Sequence, residues 1–540
     1  MATGAYGSGA KKFHFEFTLK IGAVVFFFVV AAKLLNFLKK IMVGSLFGIS
    51  WEADSFFAAT YLPYYAAVFF EGVIYLGFIP RFSRILAEEG EKAAKFFAGG
   101  MLAWLILLSG MLAVGFCLGA PWVIRGIVPG FKVHSIALTQ ELFGIVNFVI
   151  LFITLSSFFQ SLNSFFGQPL KAASSGLTDS LAMITVTFLT YRWLGIYGAA
   201  WGAVTGAFLA FCLQAFFLRQ RYRFLGLGLR LRLRPLAELV KILLPLGMIW
   251  VFQMVPLVIL NRFGSGMWQG TITSLTIALG IMVVPTGLVS QTILISVFPS
   301  LAKQASEATP ENVRSTFFGT LRATFFVLIP AGFLLSGFSG PMAALFFGGQ
   351  SGASEGTIRI ANALACLGWS AFAFYADLFM TQSLITIRKA GTAIFLCGAR
   401  AVLTCAFCYV LSGLWDYQGL ALGFSLGLVV NWLVFFPLFF RRTPLAGRWR
   451  ELFLHVLKLS IAAAPMLAGC WVLKPKFFAF VMHWAPTGLL IGTGFLLLAV
   501  SLFFFLVIRC LNVKELAEVT GLMRRLWSEK RWWITDTGAV

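Results

Sequence analysis

About fourteen apolar runs, each of roughly twenty residues or more, follow one another along the chain with only short polar breaks between them. A run of that length is what a helix needs to cross a hydrocarbon layer about 30 Å thick. No connection between runs is long enough to hold a soluble domain. The composition agrees: 59% of the residues are hydrophobic and 11% charged, against roughly a quarter charged in soluble domains. Too few charges exist to cover a wetted surface. The fold class expected is an all-α polytopic membrane protein. The first run, from Leu19, is too long for a signal peptide and lacks a small-residue cleavage site, so it reads as the first span.

Lys and Arg number 42 against 20 Asp and Glu, a net charge of +22. Their positions explain the excess. Connections after even-numbered spans carry Arg81, Arg84, Lys92 and Lys95, then Arg219, Arg221, Arg223, Arg230, Arg232 and Arg234. Further along they carry Lys303, Arg314, Arg388, Lys389, Arg441, Arg442, Arg448 and Arg450. Connections after odd-numbered spans are sparser in cations. Short basic loops stay inside, which puts both termini in the cytoplasm. The charge is then topology and contact with anionic membrane lipids, and no nucleic-acid partner is expected.

Landmarks recur at a steady offset. Pro80 and Pro299 are 219 apart, and Pro121 and Pro341 are 220 apart. Gly198, Gly202 and Gly206 map onto Gly419, Gly423 and Gly427 at 221. Each unit holds an even number of spans, so both halves enter the membrane in the same sense. Two parallel six-helix repeats around a central cavity are expected, with two additional helices outside them. The domain limits that follow are a cytoplasmic segment 1–17, a first bundle 18–220, and a basic linker 221–236. A second bundle 237–440, two added spans within 453–511, and a basic amphipathic tail 512–540 complete the chain. In the tail, Val513, Leu516, Met523, Leu526 and Trp527 approximate one helical face, suited to the membrane surface.

Ionisable groups inside spans are costly and therefore informative. The first span carries Lys33, Lys39 and Lys40. Lys33 and Lys40 lie nearly two helical turns apart and share a face with Asn36. Lys33 sits mid-span, where reaching the interface is awkward, and reads as part of a polar cavity wall. The second span opens with Asp54 and holds Glu71 at its middle. Glu71 reads first as the intramembrane partner of a lysine, with proton or ion coupling as the competing role. Asp179, Asp377 and Arg400 stand alone in their spans. Asn147, Asn163 and Asn431 suit hydrogen bonds between helices.

Catalytic and cofactor chemistry finds no support. Cys405 and Cys408 form a C-x-x-C inside an apolar run with no second pair, and read as small fillers. The four histidines show no metal-ligand spacing, and no phosphate-binding glycine loop ending in G-K is present. The chain is not expected to be an enzyme, and neither metal nor cofactor is expected.

The stretch Gly48 to Gly90 carries Ala53-Asp54-x-Phe56-Phe57, Leu62-Pro63, Phe70-Glu71-Gly72 and Phe78-Ile79-Pro80. Pro129-Gly130-Phe131, Leu162-Asn163, Pro285-x-Gly287 and Phe298-Pro299-Ser300-Leu301 follow. With these pieces the chain resembles the MviN/MurJ family of lipid II flippases, as a divergent member. The resemblance implies transfer of an undecaprenyl-pyrophosphate-linked saccharide, foremost the peptidoglycan precursor lipid II, from the inner to the outer leaflet by alternating access. It implies a bacterial cytoplasmic membrane location, a lipid-linked oligosaccharide substrate, and cell-wall synthesis proteins as partners. The candidate substrate-binding residues are Lys33, Asn36, Lys39, Lys40, Asp54 and Glu71. Two first-span arginines of the family fall at Lys33 and Lys39, a basic pair of the second span at Ala66 and Ala67, and an eighth-span arginine near Gly280. The family's signature near the end of the tenth span is replaced by the sequence from Gln382 to Gly391. A cation-coupled exporter of amphipathic drugs and a flippase for another lipid-linked polysaccharide unit are the alternatives. A polytopic sugar transferase would show a long polar outer loop, which the sequence lacks.

Overall fold

The computed structural model describes residues 6–221, 233–298, 300, 301, 304, 310–347, 355–387, 389–435, 437 and 449–481. The linker beyond residue 221, the connection around Ser351, the basic stretch 441–448, the fourteenth run and the tail lie outside the described residues. Every described element is helical. The order is α1 (Tyr6–Phe47), α2 (Trp51–Val73), a π-helical turn Ile74–Phe78, α3 (Ile79–Glu88), α4 (Gly90–Ile127), α5 (Val133–Val146), α6 (Val149–Phe165), α7 (Pro169–Leu194) and α8 (Ile196–Arg221). Then come α9 (Leu233–Gly264), α10 (Thr271–Ser296), α11 (Pro310–Gly337), α12 (Ser339–Phe347), α13 (Glu355–Gly368), α14 (Ala371–Thr386), α15 (Ala390–Val430), a second π-helical turn Asn431–Phe435, and α16 (Trp449–Val481).

Among the described residues, eight helices are long and apolar enough to cross a membrane. A ninth span is added if the pair α13 and α14, bent by 55°, is counted as one. Helices α1 and α2 are not among them: the described side chains of α1, from Val24 on, include Lys33, Lys39 and Lys40, and α2 carries Glu52, Asp54, Glu71 and three tyrosines.

Contacts divide the chain into two compact units, residues 1–292 with 388–427, and residues 293–387 with 428–540. The first unit is built on close helix pairs. Glycines on α8 let the backbone of α7 approach: a Cβ at Gly198 would stand 2.5 Å from Thr190 Oγ1, at Gly202 2.5 Å from Thr187 Oγ1, and at Gly206 2.5 Å from the Asp179 carbonyl. α15 bends at Trp415 and Asp416 into two limbs that pair in the same way. There Gly419 meets Leu411, Gly423 meets Cys408, and Gly427 meets Thr404. Thr190 and Leu411, like Thr187 and Cys408, are 221 apart. The turns match too: Gly195 has φ 55° and ψ −137°, and Asp416 has φ 51° and ψ −134°. Cys408 is buried in this packing and donates its Sγ–H to the Leu420 carbonyl at 3.5 Å. Its neighbour Cys405 is a free thiol. Asn147 and Asn163 bridge helices, to Ala113 O and to Gln214 respectively.

The second unit is held by aromatic packing. Phe317 stacks on Phe379, and Phe325, Phe372 and Trp432 meet edge to face. Arg322 of α11 pairs with Glu451 of α16, whose His455 ring nitrogen lies 3.2 Å from the Arg322 carbonyl. Asp377 accepts from Asn431 Nδ2 at 3.3 Å within the same unit.

Candidate functional site

The site is built on α1 and α2. Ser50 caps α2, accepting the Ala53 amide, and so places Asp54 in the first helical turn. Asp54 is 3% exposed. Its carboxylate leaves its own helix and accepts three hydrogen bonds at 2.7 Å, from Gly270 N, Thr273 N and Thr273 Oγ1. These are the amides at the start of α10, which lack partners within that helix and carry the positive end of its dipole. Asp54 therefore caps α10 from α2. The neighbouring turns meet at the same end. Gly270 has φ +86°, and a Cβ there would stand 2.7 Å from the Ile49 carbonyl. Gly130 donates its amide to Ser265 Oγ at 3.1 Å, and a Cβ there would lie 2.4 Å from Gly266 Cα. That close approach is the physical need for glycine in Pro129-Gly130-Phe131. Arg262 adds a bond to the Gly126 carbonyl at 2.7 Å.

The three lysines of α1 take three different positions. Lys39 is buried, and its Nζ lies 2.7 Å from Asp179 Oδ2 on α7. The sequence reading gave a lysine partner to Glu71 and expected Asp179, the one charge of its span, to pair with a neighbour sooner than face a cavity; the tertiary fold pairs Asp179 with Lys39. Lys33 is exposed, and it is the cation whose field reaches half-buried Glu71. Lys40 is half-buried and lies along α10, its Cδ 3.3 Å and Nζ 3.8 Å from where a Gly280 Cβ would sit. Asn36 is exposed, as Lys33 is. The absence of a side chain at Gly280 thus makes room for a cation from α1.

Between these groups α2 presents a tyrosine row that sequence reasoning passed over. Tyr61 and Tyr65, one turn apart, stack with ring centroids 5.7 Å apart. Tyr64, between them on the same helix, is half-buried. One turn beyond Glu71, Tyr75 is the second residue of the π-helical turn and is exposed. Gly72 lets Trp250 of α9 close against α2, with Nε1 3.1 Å from a Cβ position. The spacing of Tyr61, Tyr64 and Glu71, three and then seven residues, could have flagged this face.

In chemical terms the first unit brings Lys33, Lys39 and Lys40 of α1 together with Asp179 and Glu71, with Asp54 committed to α10. Positive charge is in excess. Phenol hydroxyls add neutral donors and acceptors. Such a set of groups suits an anion carrying a polar, hydroxyl-rich group. Among the described residues no cluster of His, Cys, Asp and Glu could hold a metal ion.

Comparison with known proteins gives a consistent picture. The family model described as lipid II flippase MurJ matches residues 43–491. A lipid II flippase MurJ of Burkholderia cenocepacia is 22% identical over 463 residues, covering 82% of this chain and 88% of its own. A probable lipid II flippase MurJ of Borreliella burgdorferi is 22% identical over 456 residues, covering 81% and 86%. Among solved structures, a lipid II flippase MurJ in an inward closed conformation superposes with a TM-score of 0.72 at 18% identity, covering 90% of this chain and 99% of that one. An inward-facing multidrug resistance MATE transporter of the MOP superfamily gives 0.64 at 16% identity, covering 76% and 94%. At these identities the structural likeness speaks for the fold alone.

Proposed function

Because the chain belongs to the MurJ lipid II flippase family, a family of transporters rather than enzymes and of multi-pass membrane proteins, we propose that it carries an undecaprenyl-pyrophosphate-linked saccharide across the bacterial cytoplasmic membrane. Lipid II is the leading cargo, moved from the inner to the outer leaflet by alternating access. The observation that carries this reading is the cationic set on α1, with Lys39 on Asp179, Lys40 beside Gly280 of α10, and Lys33 exposed. A pyrophosphate needs cations, a sugar needs hydroxyls and amides, and the prenyl tail can remain in lipid. An exporter of cationic amphiphiles would instead need acidic groups in excess, since a buried cation demands a counter-charge.

The architecture within this proposal is about fourteen spans, as two parallel six-helix repeats flanking a cavity, with spans thirteen and fourteen outside. The bundles run over 18–220 and 237–440, joined by the basic linker, with both termini cytoplasmic. Three observations support the repeat: the glycine rows at offset 221, the like turns at Gly195 and Asp416, and the bond from Thr273 to Asp54. Asp54 and Thr273 are 219 apart in sequence, the repeat offset itself. Equivalent residues of two repeats touch only near the axis that relates them. On this topology the Asp54 contact lies at the outer end and holds that end together. Lys33, Asn36, Lys39, Lys40 and Glu71 then serve a substrate entering from the cytoplasmic side.

The test is lipid II translocation in proteoliposomes, with outer-leaflet lipid II scored by its accessibility to an added enzyme. Lys33→Gln is expected to abolish transport in inserted, abundant protein, and Lys33→Arg to retain much of it. Stable Lys33→Leu protein with full activity would refute the role of Lys33. Wild-type protein that moves no lipid II but moves another prenyl-linked saccharide would reassign the cargo.

A further inference from the structure

One side of α2 is left half-open by the packing of the first unit. At about 3.6 residues per turn, Tyr61, Tyr64, Tyr65, Val68 and Glu71 fall within about a third of the helix circumference. All five are half-buried. Ala59, Pro63, Phe70 and Val73 fall on the opposite side and are buried. Around α2 stand α4, α5, α6 and α9 of the same unit, each packed against it. A helix so surrounded, with a carboxylate at the middle of its open side, does not turn that side to lipid. The half-open side chains border a polar space instead.

The chemistry of that side is specific. Tyr61 and Tyr65 stack with centroids 5.7 Å apart and planes 13° from parallel, so two nearly parallel rings stand side by side. Among the described residues the hydroxyls of Tyr61, Tyr64 and Tyr65 have no hydrogen-bond partner, although a buried phenol ordinarily finds one. Glu71 accepts no hydrogen bond there either. Ring faces beside unpaired hydroxyls and a carboxylate match the two sides of a hexopyranose. Its C–H groups carry partial positive charge toward the negative face of an aromatic ring, and its hydroxyls bond to phenols and donate to a carboxylate. We propose that this side of α2 is a saccharide subsite, in which Tyr61 and Tyr65 stack on a sugar ring of the cargo. The proposal rests on the flippase reading and adds to it the residues that recognise the sugar. The lysines of α1 then act on the anion, and the tyrosines select for an anion that carries a saccharide.

The experiment measures binding of two undecaprenyl pyrophosphates to the full-length protein in nanodiscs, one bare and one carrying a peptide-free disaccharide. Wild type is expected to favour the glycosylated lipid by about tenfold. Replacing both rings, Tyr61→Leu with Tyr65→Leu, is expected to remove most of that preference. Tyr61→Phe with Tyr65→Phe keeps both rings and is expected to hold the preference to within about threefold. A thermal midpoint accompanies each variant, and should the double leucine variant fail to fold, Tyr61→Leu and Tyr65→Leu singly decide the matter. If wild type binds the two lipids equally, or if folded leucine variants keep the wild-type ratio, the proposal is overturned and the flippase reading stands. If wild type binds neither lipid, the flippase reading falls, and this proposal with it.

Discussion

Removing the Asp54 carboxylate should loosen the junction between α2 and α10. Asp54→Ala takes away the acceptor of three hydrogen bonds, two of them from the Gly270 and Thr273 amides at the start of α10. Bonds to a charged acceptor contribute about 1.5–3 kcal/mol each, and a buried donor left without a partner costs about 1–3 kcal/mol. Water entering the vacated space recovers part of this, so a net loss of about 2–4 kcal/mol is reasonable. At about 1.4 kcal/mol per factor of ten, amide exchange at 270–273 should quicken by about 30-fold to 1000-fold. Hydrogen exchange read by mass spectrometry on the full chain in nanodiscs measures this directly. Asp54→Asn keeps one acceptor oxygen without the charge and should fall between. A double-mutant cycle with Thr273→Val isolates the hydroxyl bond, at about 1–1.5 kcal/mol of coupling. Asp54→Ala protein whose 270–273 amides exchange at the wild-type rate would refute the capping argument, because those donors would then owe nothing to α2.

Two further outcomes follow from the packing. Lys39→Met or Asp179→Leu alone leaves a charge facing apolar neighbours and should cost about 3–5 kcal/mol, whereas the double variant should recover most of the loss; thermal midpoints of the purified proteins read this, and a double variant no better than either single would contradict it. Asp416 holds φ 51° where its counterpart is a glycine, so Asp416→Gly should stabilise by about 1–2 kcal/mol. A lowered midpoint in that variant would mean that the Asp416 side chain contributes more than its backbone conformation costs.

Membrane character was legible in the sequence because it depends on the length and polarity of contiguous runs, and lipid imposes one remedy on every backbone polar group in them. The glycine rows were legible as well. A residue without a side chain recurring every fourth position marks one helical face, and α8 and α15 use those faces to approach their neighbours. The lysines of α1 could be counted as candidates but not assigned. Which carboxylate meets which lysine depends on how α7 lies against α1, across 140 residues of chain, and that put Asp179 rather than Glu71 on Lys39. Asp54 looked like a site residue from its motif, yet its partners include two backbone amides 216 and 219 residues away, which no side-chain pattern announces. Periodicity and polarity are properties of neighbours along the chain, and they set what each helix is. Charge pairing and helix capping are short-range forces between segments distant in sequence, and only the packed bundle decides them.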